Sequence, residues 1–268
     1  MYAFDYIRPS SLAEAVRLLA EDADARPLAG GMTLIPTLKQ RLASPSRLVD
    51  LAGVPELEGI RLGPGWLEIG AMTHHADVAA SDTVRSAIPA LASLARGIGD
   101  PHVRNRGSIG GSVANADPAA DYPAAVLSLD ASVLTDRREI PADAFFTGLF
   151  ETALEPGELI TAIRFGVPDA AAYAKFPNPV SGYATVGVFV ARRDKSVRVA
   201  VTGAASSAFR WTALESALSQ DFSPAAVNEL EPPSTDLNED AHASAPYRAH
   251  LIGVMARRAV EHMMSSIA

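Results

Sequence analysis

No cysteine occurs anywhere in the 268 residues. Disulfides, thiolate metal sites, cysteine nucleophiles and iron–sulfur clusters held by this chain alone are thereby excluded, so redox chemistry here requires an organic cofactor. No apolar run approaches the roughly 20 residues that cross a bilayer, and the opening "MYAFDYIRPS" lacks the basic-then-apolar order of a secretion signal. Both absences point to a soluble, cytoplasmic protein. Basic residues never form a run of five or more, and 23 Lys plus Arg stand against 31 Asp plus Glu for a net charge of -8. That balance argues against nucleic acid as a partner.

Familiar catalytic signatures are missing too. Neither G-x-G-x-x-G in a βαβ setting nor G-x-x-x-x-G-K-[ST] occurs, and "GAASSA" around Ser206 lacks the G-x-S-x-G elbow of hydrolases. His74 and His75 are adjacent, which on a helix points them about 100° apart and removes them as an i, i+4 metal pair. Asp117 and Asp121 are four apart and can face together, but no histidine or acid cluster accompanies them. There is no internal repeat and no long low-complexity segment.

What is present reads as an α+β chain of two domains. Ser11 and Glu14 form an S-x-x-E capping box ahead of Leu12, Ala15, Val16 and Leu19 at helical spacing. "RPLAGG" reads as a buried strand entering a glycine turn. Thr33 then stands as the cap of a helix carrying Leu34, Ile35, Leu38 and Leu42, with Pro36 tolerated in the first turn. "RLVDL" closes a βα-type unit of about 50 residues. From Leu57 to Arg164 the elements are short and mixed: "WLEIGA" and "ELITAIRF" as strands, "AIPALASLARGI" and "YPAAVLSL" as helices. "GVPDAAAYAKF" reads as a boundary, dividing residues 1–166, with subparts of about 1–55 and 56–166, from residues 167–268. Beyond it, "YATVGVFVARR" and "SVRVAVTGA" flank Asp194 and Lys195 as an antiparallel hairpin. Helices follow around Ala213–Leu218 and Ala225–Leu230. Residues 231–245 read as a surface loop, and a last helix from about Pro246 aligns Leu251, Met255, Ala259 and Met263 on one face.

Two glycine clusters carry the chemistry. "LAGGMTLI" places Gly30 and Gly31 just before a helix N-terminus, where free amides and the helix dipole suit an anion such as a pyrophosphate. "GSIGGSVANADPAAD", residues 107–121, holds three glycines in fifteen positions, which calls for positive φ or for close approach of another group. Each cluster alone fits a bound ligand or a structural turn. Arg104 and Arg106, flanking the second, read either as solvated surface or as contacts to a diphosphate or a partner.

Taken in order, "LAGGMTLIPTLKQRL", "VRNRGSIGGSVANADPAADYPAA" and "KFPNPVSGYATVGV" are similar to the FAD-binding medium subunit of the molybdenum hydroxylases, the family that includes carbon monoxide dehydrogenase and xanthine dehydrogenase. The resemblance runs from "FDYIRPSSLAEAVRLL" to "HASAPYRAHLIGVMARRAVE". It implies a two-part FAD-binding domain of the vanillyl-alcohol oxidase type followed by a C-terminal α+β domain. It also implies that FAD is what approaches the glycines: the pyrophosphate meets Leu28, Ala29, Gly30, Gly31, Met32, Thr33, Leu34 and Ile35, with Met32 and Thr33 departing mildly from the family's usual residues. Ser108, Ile109, Gly110, Gly111 and Ser112 match the second motif, with Asn115 and Asp121 downstream. Ile98, Gly99 and Val103 match a segment near the flavin, Ile160 an apolar contact beside the ring and Lys175 a cofactor-contacting lysine. Without the family, Lys175 reads as a surface lysine. Tyr183 matches a tyrosine that stacks near the isoalloxazine in some members, and reads equally as a strand aromatic.

The implied activity is oxidoreductase electron transfer, from iron–sulfur clusters on a small partner subunit through FAD to an external acceptor. Hydroxylation would take place at a molybdenum cofactor in a large partner subunit, the whole forming a heterotrimer or its dimer. The alternatives are a stand-alone FAD-dependent oxidoreductase and a non-catalytic assembly protein that keeps the FAD fold. No residue reads as a catalytic acid, base or metal ligand.

Overall fold

The computed structural model describes residues 1–267, with side chains through Ser265. The first unit comprises β1 (Asp5–Ile7), α1 (Leu12–Ala20), β2 (Arg26–Leu28), α2 (Leu34–Lys39) and β3 (Arg47–Asp50). Its strands form a parallel sheet in the order β1-β3-β2. The Ser11 hydroxyl caps α1 by accepting from the Glu14 N–H at 3.3 Å, but the Glu14 carboxylate accepts from the Ser10 N–H at 2.9 Å, so the box closes one residue earlier than its pattern implies. Thr33 precedes α2 without a side-chain cap, because its backbone is already helical. The helix stops at Lys39, and Leu42 lies beyond it, 74% exposed.

The second unit contains β4 (Ile60–Gly63), β5 (Trp66–Gly70), α3 (His75–Ala80), α4 (Asp82–Ala87), α5 (Pro89–Arg96), α6 (Pro101–Arg104), α7 (Ile109–Asn115), α8 (Tyr122–Ser128), β6 (Ser132–Thr135), β7 (Glu139–Pro141), β8 (Phe146–Gly148), β9 (Glu151–Thr152) and β10 (Ile160–Gly166). The sheet β4-β5-β10-β6-β7 is antiparallel throughout. Every residue of α8 is buried, so it forms the inner layer between this sheet and the next.

The third unit holds β11 (Ala170–Pro177), β12 (Ala184–Arg193), β13 (Ser196–Thr202), β14 (Phe209–Arg210), α9 (Thr212–Gln220), α10 (Pro224–Asn228) and α11 (Ala245–Ile267). Most of "GVPDAAAYAKF" is strand, since β11 pairs with β12 over its whole length, and its first residues connect β10 to β11. The hairpin at Asp194 and Lys195 forms with Asp194 at φ 55°. Alternation assigns the faces: Ala172, Ala174, Val186, Val188 and Val190 join the core beneath α11, whereas Tyr173, Phe189, Ala191 and Ala200 join the core of the second unit. The sheet is buried on both faces, which explains the long apolar run of β12. Leu251, Met255, Ala259 and Met263 are all buried on α11. No helix among the described residues is long and apolar enough to cross a membrane.

One glycine contact joins the first two units, and two more close the second unit around the same turn. A methyl group built on Gly30 would lie 2.1 Å from the Arg106 carbonyl oxygen, one on Gly107 2.6 Å from His75 Nε2, and one on Gly110 2.4 Å from the Ala71 Cβ. The protein itself approaches these glycines this closely, so packing is a reason for their smallness beside the cofactor that the resemblance implies. Gly30→Ala should cost about 1–3 kcal/mol of stability by forcing the two backbones apart. Gly97→Ala, whose new methyl meets nothing closer than 3.4 Å, should cost markedly less. Urea unfolding of both variants checks the difference.

A candidate cofactor cleft

A cleft of about 630 Å3 opens between the three units, within the range of about 300–1,000 Å3 usual for small-molecule and cofactor sites. Ala29, Gly30, Gly31, Met32, Thr33 and Leu34 line one wall, and Ser108, Gly110, Gly111, Ser112 and Asn115 the facing one. Ile98, Gly99 and Val103, then Asp121, Ile160 and Tyr183, complete it. Four residues singled out in the sequence lie elsewhere. Leu28 and Ile35 pack about Gly31, and Ile109 is fully buried in the core. Lys175 sits behind Asp121, its side chain 12% exposed.

The two glycine segments differ in what their amides can still do. In the second, every early amide of α7 is taken: Ile109 donates to Thr73 O at 3.1 Å, Gly110 to Ala71 O at 2.8 Å, Gly111 to the Ser108 hydroxyl at 3.3 Å and Ser112 to Ser108 O at 3.0 Å. In the first, no backbone carbonyl of the described residues accepts from the N–H groups of Gly30, Gly31, Met32, Thr33 or Leu34. Gly31 takes φ 72°, a left-handed turn that leads into α2. The donor chemistry of the cleft thus fits an anion held by the first segment, with the second as a rigid wall.

The polar lining includes groups that sequence patterning did not single out as ligands. His75, Asp117, Glu155 and Glu158 all line the cleft. Burial pushes the Asp117 carboxyl up, partly offset by the Ala119 N–H it accepts. The Tyr183 hydroxyl is raised by burial and then by the negative charges of Asp117 and Asp121. The Arg138 guanidinium beside Glu158 holds that carboxyl down at about 2. His75 is buried against Tyr122, ring centroids 5.4 Å apart, and its Nδ1 has no hydrogen-bond partner. Desolvation, with the charges of His74 and Arg104 adding to it, lowers its pKa to about 4. Sequence adjacency sets His75 only beside His74; its position at the start of α3, against Gly107, is tertiary.

Arg104 takes a role that neither reading named, its guanidinium donating to Ile98 O at 2.9 Å and Gly99 O at 2.8 Å. This fixes the loop that ends the cleft, where Gly99 takes φ 46°.

The chain is similar to known proteins over nearly its whole length. Residues 2–168 match the family described as the FAD binding domain in molybdopterin dehydrogenase. The chain belongs to this family. It is 37% identical to the carbon monoxide dehydrogenase medium chain of Hydrogenophaga pseudoflava, over 96% of each chain. To the glyceraldehyde dehydrogenase medium chain of Sulfolobus acidocaldarius it is 32% identical, over 97% of this chain and 98% of that one. Among solved structures, reconstituted CO dehydrogenase from Oligotropha carboxidovorans superposes with a TM-score of 0.91 at 36% identity, covering 98% of each chain. The cofactor of this family member is FAD, and its fold is the α+β FAD-binding fold of those medium chains.

A folded-state pKa of about 4 for His75 has a consequence for stability. The unfolded chain binds a proton near pH 6.5 that the folded chain refuses until about pH 4, so stability is complete above the first value and is lost as pH falls toward the second. The loss should approach about 3 kcal/mol. Between pH 6.5 and 4.5, the melting temperature of the wild type should fall more steeply than that of His75→Gln; equal slopes would mean that folding does not keep His75 neutral.

Proposed function

We propose that this chain is the flavoprotein subunit of a molybdenum hydroxylase, receiving electrons from iron–sulfur clusters on a small partner subunit and passing them through FAD to an external acceptor. Hydroxylation of the organic substrate takes place on a large molybdenum-cofactor subunit. The observation that carries the reading is the row of unpaired amides from Gly30 to Leu34 facing a cleft of cofactor size. In this reading residues 1–166 carry the cofactor and residues 167–268 form a C-terminal unit that closes one end of the site. The two medium chains named above serve dehydrogenases of different substrates, carbon monoxide and glyceraldehyde, as expected if specificity resides in another subunit.

When bound, FAD supplies a centre able to exchange electrons singly or in pairs. The residues of this chain do the rest. The amides of Gly30 to Leu34 bind the pyrophosphate without the dehydration cost of a flexible cation, and the N-terminal end of α2 adds its dipole. Gly111, Ser112 and Asn115 shape the facing wall. Ile98, Val103 and Ile160 offer apolar surface to the ring system, and Tyr183, 43% exposed at the mouth, stands where it can cover it.

Gly111→Val tests the cleft directly. The added side chain begins 3.0 Å from Ser108 Oγ and 3.3 Å from Ala29 Cβ, so it must project between the two walls. FAD should bind about tenfold more weakly, roughly 1.4 kcal/mol, while circular dichroism stays unchanged. Full flavin content after dialysis would remove this wall from the site.

Electron traffic provides the second test. Chemically reduced chain should pass electrons to an acceptor dye, whereas the oxidised chain mixed with aldehydes or N-heterocycles should keep its flavin absorption. Bleaching by such a substrate with no partner present would replace the subunit reading with that of a stand-alone oxidoreductase.

A further inference from the structure

The resemblance assigns Lys175 to the cofactor, yet its hydrogen bonds are already committed. A lysine ammonium has three N–H donors and no acceptor. Lys175 Nζ donates to Gly97 O at 2.9 Å, to Asp121 Oδ2 at 2.9 Å and to Gly182 O at 3.0 Å. No donor remains for a bound molecule. Its charge is balanced as well, since the Asp121 carboxylate, 5% exposed, pairs with it and also accepts from the Tyr173 hydroxyl. Burial pushes the Asp121 carboxyl up, and the Lys175 ammonium and the Tyr173 hydroxyl pull it back.

The three acceptors come from three separate segments. Gly97 ends α5 and leads into Ile98 and Gly99; Asp121 opens α8; Gly182, at φ 73°, leads into Tyr183. Alternation along β11 puts Lys175 on the same face as Tyr173, toward the second unit and away from α11. From that position one side chain spans the two rims at this end of the cleft.

We infer that Lys175 is a positioning residue: a buried staple that joins the Ile98–Gly99 rim to the Ser181–Tyr183 rim through Asp121 before any cofactor arrives, rather than a cation presented to the flavin. This rests on the reading of the cleft as the FAD site. Binding benefits because the rims need not be ordered at the moment of association. An ammonium suits the task, since three carbonyl or carboxylate acceptors converge on one point and a compact charge satisfies all of them.

Amide hydrogen exchange on the FAD-free full-length chain tests the inference independently of cofactor binding. In Lys175→Met, peptides spanning 97–99 and 178–184 should exchange about tenfold faster or more, as expected for loss of a charge-assisted hydrogen bond to each segment, while peptides from α11 keep their rates. With FAD added, the dissociation constant should rise while the reduction potential of the bound flavin stays at its wild-type value. Lys175→Met leaves Asp121 buried without its cation; should that variant fail to fold, Lys175→Met/Asp121→Asn removes both charges and should show the same exchange pattern. Unchanged exchange in both segments together with a lowered flavin potential would overturn the inference and make Lys175 a charge acting on the ring. Failure of the wild-type chain to bind FAD would instead refute the functional reading, leaving the exchange result to stand by itself.

Discussion

The close contact of the Gly30 backbone with the Arg106–Gly107 backbone governs the rest of the structure. There the parallel three-stranded unit meets the turn into α7, and no side chain larger than hydrogen fits between them. The same turn is held from the other side: His75 N donates to Gly107 O at 3.0 Å, and Gly110 donates to Ala71 O while its Cα lies against the Ala71 backbone. Two units with separate sheets are joined by main chain against main chain. Such a joint has few ways to relax, because the atoms that would have to move belong to strand ends and helix starts rather than to flexible side chains.

That joint also divides the work of the two glycine segments. Packing the second against β5 and the 71–75 turn consumes the amides at the start of α7, so it can offer shape but few donors. The first meets its neighbour edge-on and keeps its amides. An anion-binding loop and a rigid wall facing it across a gap are what a dinucleotide-like cofactor needs, one to hold the diphosphate and the other to define where the rest lies. The far end is set by charge rather than by glycine, through Lys175 and Asp121 between β11 and α8, and through Arg104 on the Ile98 and Gly99 carbonyls.

The C-terminal sheet shows how burial on two faces reshapes a sequence signal. Had β12 been covered on one side only, its residues would alternate apolar and polar; instead Val188 and Val190 meet α11 while Phe189 and Ala191 meet the second unit, and the strand reads as one apolar run. The preceding β11 was concealed for a related reason. Its alanines are small enough to lie beneath α11 and weak as strand formers, so "GVPDAAAYAKF" reads as a boundary, and its strand emerges only when β12 supplies the pairing.

Local chemistry was enough to determine much of this protein. The cap at Ser11, the glycine turn before α2, the two-residue hairpin at Asp194 and Lys195, and the apolar face of α11 depend on neighbours within a few residues, and their patterns are legible in the chain. The order of the motifs carries the family, and with it FAD. Which glycines serve the ligand and which serve packing was beyond the sequence, because Gly30 and Gly110 owe their smallness to Arg106 and Ala71, residues distant in the chain or in another unit. Lys175 is the same lesson in electrostatics. A lysine in a strand is legible as a positive charge, but whether that charge faces a cofactor or is spent on Gly97, Asp121 and Gly182 depends on segments brought together from 78, 54 and 7 residues away, and only folding puts three acceptors around one ammonium.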